Sequence, residues 1–82
     1  MPKELLDILA YKTGCLYVSD LKIKANSELI KFELEKLSVQ DFSLEQWNDA
    51  IEYLTEETTH FESREEAKKF LLNAKIITRL PL

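Results

Sequence analysis

Glycine is almost missing from this chain: Gly14 is the sole example, and Pro2 and Pro81 are the only prolines. A β-rich fold needs a turn about every eight to twelve residues, built mainly from these residue types, so their scarcity argues for helices. A single glycine also excludes the glycine-rich loops that cradle phosphates in Walker-type and dinucleotide sites. Cys15 has no second cysteine to pair with, which removes any internal disulfide and points to a reducing, cytoplasmic setting. No apolar run approaches the roughly 18 residues needed to cross a bilayer. The amino terminus MPKELLDILAYK mixes acids into an apolar stretch too short for a secretory signal, so no membrane partner is expected. Basic charge is also in deficit, with 11 Lys and Arg against 15 Asp and Glu and a net charge of −4, which disfavours nucleic acid.

What is present is hydrophobic material. Apolar residues make up 45% of the chain, fourteen leucines and six isoleucines among them, which is enough to build a core. Eighty-two residues hold one domain, close to the size at which a single core gives only marginal stability. Leu, Glu and Lys dominate and all favour helix. The reading is an all-α protein, a compact bundle of four or five short helices over 1–82, with an apolar tail at 76–82 whose docking place the pattern does not specify.

The elements follow from periodicity and caps. Pro2 suits a first helical turn, and Leu5, Ile8, Leu9 and Lys12 recur at helical spacing until Gly14 offers a left-handed stop, predicting a helix over about 2–13. The run CLYV at 15–18 is either a single extended segment or a buried connection. From Ser19 two stripes appear, one of Leu21, Ala25, Leu29 and Phe32 and one of Ile23, Ile30, Leu34 and Leu37, as for a helix buried on two sides. Either one helix runs over about 19–38, or a turn at Asn26–Ser27 divides it and caps the second piece. Ser43 with Gln46 is a capping-box pattern, and Leu44, Trp47, Ile51 and Leu54 then trace a stripe over about 43–57, with Phe42 placed as a hydrophobic staple. Ser63 with Glu66 repeats the box ahead of Ala67, Phe70, Leu71 and Ala74, and that helix should lose order near 75–78, where KIITRLPL begins.

The sharpest chemical question lies in DFSLEQWNDAIEYLTEETTHF, residues 41–61, where Glu45, Asp49, Glu52 and Glu56 recur at steps of four, three and four. These acids fall on the side of the third helix away from Trp47, where an amphipathic helix must carry hydrated groups. Helical di-metal sites place carboxylates inside the bundle and need a Glu-x-x-His pair from each of two helices. Glu57 and His60 supply one such spacing, and there is no second histidine. The acids are therefore read as a solvated face, without metal or other cofactor. His60 alone gives no acid–base constellation. Cys15 follows the end of a helix, whose negative pole disfavours a thiolate. No catalytic role is expected.

A protein partner remains. The acidic face of Glu45, Asp49, Glu52 and Glu56, together with Tyr53, is the expected partner-binding surface of a regulator, inhibitor or immunity-type module. Tyr11, Tyr17 and the 76–82 tail are further candidates. The two stripes of 19–37 suggest a homodimer that covers the surplus one, beside a monomer that satisfies both internally. The alternative function is a helix-turn-helix DNA regulator over 19–37 with Lys22 and Lys24 on phosphates. Against it, Glu28, Glu33 and Glu35 outnumber Lys31 and Lys36 across the reading helix, and residues 41–66 hold nine acids and one arginine.

Overall fold

The computed structural model describes residues 4–15, 17–22 and 27–77. Among them are four α-helices, α1 (Leu5–Lys12), α2 (Ser27–Lys36), α3 (Leu44–Thr55) and α4 (Arg64–Asn73), with short 3₁₀ turns at Val18–Lys22 and Val39–Asp41. The described residues contain no strand. The all-α bundle expected from composition is the architecture, with four α-helices as its full complement among these residues. Packing closes them into a ring: α3 lies against α1 and α4, and α2 completes the circuit by packing on α4 and α1.

Several helix ends have an identifiable cause. In α1, Gly14 adopts φ +81, and Cys15 N–H donates to the Ala10 carbonyl (2.8 Å) while Gly14 N–H donates to that of Tyr11 (3.1 Å). This is a Schellman stop, which needs a left-handed residue that glycine supplies at no steric cost. The helix is shorter than the expected 2–13, and Pro2 lies outside the described residues. Ser43 and Ser63 cap α3 and α4, their hydroxyls accepting from Gln46 N–H (3.2 Å) and Glu66 N–H (3.4 Å). Only half of the first capping box forms as expected. The Gln46 amide oxygen turns away to accept from Leu5 N–H (2.9 Å), so a residue of α3 caps α1 across 41 positions of sequence. At α4, the Ser63 hydroxyl donates to Glu65 Oε1 (3.1 Å). Glu65 is held below the ordinary carboxylate range by a hydrogen bond from its own backbone N–H, then by Ser63, with the charge of Arg64 adding. The small stabilisation this gives is present above the unfolded carboxyl's pKa and is lost as pH falls through the depressed folded value.

Segment 19–38 is divided. Val18–Lys22 is a 3₁₀ turn, so a continuous α-helix over 19–38 does not form, and the second piece is α2, described from Ser27; residues 23–26, with Asn26 of the expected turn, lie outside the described residues. The two stripes separate accordingly. Ile30 and Leu34 are fully buried and Leu37 packs against the core. Of the other stripe Leu21 is buried, while Leu29 is 36% and Phe32 57% exposed. The CLYV segment divides too, with Cys15 buried and Tyr17 exposed.

Trp47 sits in the middle of the core with Leu5, Leu9, Leu21, Ile30, Leu34, Ile51, Leu54 and Leu71, all fully buried. Phe42 meets the Trp47 ring edge-on (centroids 6.0 Å, 87°), the expected staple between the residue before the cap and the fourth helical position. The indole Nε1–H donates to the Val39 carbonyl (3.2 Å), which removes the penalty of burying it. α4 ends at Asn73, before the expected 75–78. Ile76 is buried and Ile77 N–H donates to the Leu54 carbonyl (2.8 Å), so the start of the tail docks on the end of α3; residues 78–82 lie outside the described residues.

A second distant cap joins α4 to α2. Lys68 Nζ donates to the Glu35 carbonyl (2.9 Å) and the Leu37 carbonyl (2.6 Å), placing a cation on the negative end of α2. Lys68→Met keeps the stem and removes the charge, so it is expected to destabilise the fold by about 1–2 kcal/mol in urea unfolding. A value indistinguishable from zero would mean that water satisfies those carbonyls equally well.

Candidate functional site

The register set by Ser43 fixes which side chains of α3 face outward. Glu45, Asp49 and Glu52 are exposed on one side of it, opposite the buried Trp47, Ile51 and Leu54. Glu56 is no longer helical. It is the left-handed C-cap of α3 (φ 60), its N–H donating to the Glu52 carbonyl (2.9 Å). A non-glycine residue at this φ costs on the order of 1 kcal/mol, and Glu56 is the only described non-glycine residue with positive φ. Its carboxylate reaches Lys22 Nζ at 3.0 Å. The four acids are therefore three carboxylates on one helix face and a fourth engaged by a lysine from the first 3₁₀ turn.

Lys22 holds this corner together. Its side chain is only 17% exposed, and Nζ lies 4.6 Å from the centroid of the Tyr53 ring while pairing with Glu56. Tyr53 is half-buried, with its hydroxyl donating to the Val18 carbonyl (3.2 Å). Leu6, Lys22, Asp49, Glu52 and Tyr53 line a shallow open cleft of about 380 Å³. Leu6 and the Tyr53 ring contribute apolar surface to its lining, and Asp49 and Glu52 contribute carboxylates. Among the described residues no cation pairs with Glu45, Asp49 or Glu52. Chemically the cleft suits a long basic side chain, whose methylene stem would lie along Leu6 and the Tyr53 ring while its charge meets the carboxylates. Comparison with protein-family models, with curated proteins and with solved structures finds no match.

Other residues with chemical potential lie apart. Among the described residues no three of His, Cys, Asp and Glu gather as metal ligands would. Glu57 and His60 are both exposed in the connection between α3 and α4. Cys15 is buried, with the Thr13 hydroxyl 3.5 Å from its sulfur. Tyr11 and Tyr17 are exposed. A second hollow of about 370 Å³ is lined by Phe61 and by Glu66, Lys69, Phe70 and Asn73 of α4, with the centroids of the two phenyl rings 5.1 Å apart. No helix among the described residues is long and apolar enough to cross a membrane.

A helix-turn-helix over 19–37 would require an α-helix ahead of the turn, where Val18–Lys22 forms a 3₁₀ turn of five residues. Lys22, placed on phosphate in that alternative, faces Tyr53 and Glu56. Its role was hidden because Lys22 and Glu56 are 34 positions apart, and nothing local to either residue marks the pair.

Proposed function

We propose that this chain is a small cytoplasmic helical module that acts by binding another protein, without catalysis of its own, and that the partner presents a basic segment to α3. The observation that supports this most is the set of exposed carboxylates at Glu45, Asp49 and Glu52, without cation partners among the described residues, beside a cleft lined in part by Leu6 and Tyr53. Lys22 is neutralised by Glu56, so the cleft presents net negative charge despite its lysine. Electrostatic complementarity of this kind sets encounter rate and partner choice more than final affinity.

Titration calorimetry with a lysine- and arginine-rich peptide tests the reading. Binding should weaken several-fold between about 50 and 200 mM salt, as expected for exposed charges at that screening length. The double variant Asp49→Lys, Glu52→Lys should lower affinity at least about tenfold, since reversing rim charges places like charges opposite the ligand. Glu45→Gln, beyond the cleft, should have a smaller effect. Binding that ignores the double reversal would remove this face from consideration.

A further inference from the structure

We propose that α2 is a self-association surface, on which a second copy of this chain packs antiparallel about a two-fold axis at Phe32. The proposal is independent of the acidic cleft, which belongs to α3. Single exposed apolar residues are ordinary on protein surfaces, and the case for α2 rests on what surrounds this one. Phe32 is 57% exposed at the midpoint of the helix, with Leu29 three residues before it and 36% exposed. On the same face, four residues to either side of Phe32, stand Glu28 and Lys36, both exposed and of opposite sign.

A two-fold axis at Phe32 pairs position 32 + k with 32 − k on the partner. Phe32 then stacks on its own copy, and Lys36 meets Glu28 of the partner subunit, twice by symmetry. Lys36 Nζ already lies over the Phe32 ring at 4.1 Å and 3.8 Å from Glu33 Oε2, so it stands beside the proposed contact, and pairing with Glu28 of the partner subunit competes with a long intrahelical pair that is worth little at an exposed site. The inner face of α2, with Ile30 and Leu34, is fully occupied by the core, which leaves the Phe32 face for a partner. Helix α2 has ten residues, and one such pair buries less than the roughly 1,200 Å² of a standard interface, so the dimer is weak, with a dissociation constant of about 1 μM or higher.

Acid early and lysine late in α2 also suit the helix macrodipole, and the test separates the two causes. Sedimentation equilibrium of the full chain up to ~1 mM, alongside thermal melting, is expected to show a concentration-dependent dimer. Phe32→Glu should raise the dissociation constant about thirtyfold or more, as loss of a central aromatic anchor does. Glu28→Lys or Lys36→Glu alone should each weaken the dimer about tenfold by placing like charges in contact. The double exchange Glu28→Lys, Lys36→Glu should restore the dimer while lowering the melting temperature, because inter-subunit pairing is regained and the macrodipole is opposed. A monomer throughout the range overturns the proposal. So does a monomer whose melting temperature falls by several degrees on Phe32→Glu, which would mean that the face is covered within one chain. A dimer indifferent to Phe32→Glu, or not restored by the double exchange, overturns it as well.

Discussion

Trp47→Ala is expected to remove about 3–5 kcal/mol of stability, the range for truncating a fully buried large side chain where the surroundings collapse only partly. Trp47 has no solvent exposure and is the chain's single tryptophan. Removing it leaves a cavity between α3 and its neighbours, deprives Phe42 of its edge-on contact and leaves the Val39 carbonyl without the indole N–H. A domain of this length has a total of roughly 4–12 kcal/mol to lose, so the variant should melt some 15–30 °C lower, or be unfolded at 37 °C. Trp47→Phe separates the contributions. It keeps most of the apolar volume and drops the hydrogen bond, and should cost about 1–2 kcal/mol. Far-UV circular dichroism in denaturant measures both without relying on indole fluorescence. A loss under about 1 kcal/mol for Trp47→Ala would refute its place as the centre of the core and, with it, the outward orientation of Asp49 and Glu52.

Local signals and distant ones differed in how far sequence could carry them. Ser43, Ser63, Gly14 and Phe42 act on residues within a few positions, so their caps, stop and staple were readable from spacing. Gln46 on α1, Lys68 on α2 and Lys22 on Glu56 act across more than thirty positions, and a helical pattern holds no record of which neighbour will lie opposite. The acidic face was legible for the same reason as the caps, since exposure on an amphipathic helix follows from the register of its apolar stripe. The cleft beside it was not, because Leu6 and Lys22 arrive from other elements. The stripe containing Leu29 and Phe32 was visible as a surplus, and only the packing of α2 on α1 and α4 assigns it to the outside.

Asn48 carries the other large effect, and helical spacing alone does not mark its role. It lies on the buried side with Ile51 and Thr55, at steps of three and four, yet it is polar. The structure explains this: Asn48 Nδ2 donates to the Phe61 carbonyl and Phe61 N–H donates to Asn48 Oδ1, both at 2.9 Å. One amide side chain thereby pairs with both backbone groups of Phe61, as a neighbouring strand would, and fastens the connection between α3 and α4. Asn48→Ala leaves both groups unpaired in a partly buried site and should cost about 2–3 kcal/mol in urea unfolding. Backbone amides of 56–62 should then exchange with deuterium faster than those within α3. Asn48→Asp supplies a sharper test. The Asn48→Asp carboxylate accepts from Phe61 N–H but repels the Phe61 carbonyl, whereas its protonated form donates to that carbonyl as the amide did. Burial and this repulsion raise the folded pKa above the unfolded value of about 3.9. The compensating stability is therefore present below that value and lost as pH rises through the raised one. Relative to the parent chain, Asn48→Asp should be less destabilised at acid pH than at neutral pH. A deficit that does not change with pH would show that the contact with the Phe61 carbonyl contributes nothing, and that the loop is held by its phenyl ring against Phe70 instead.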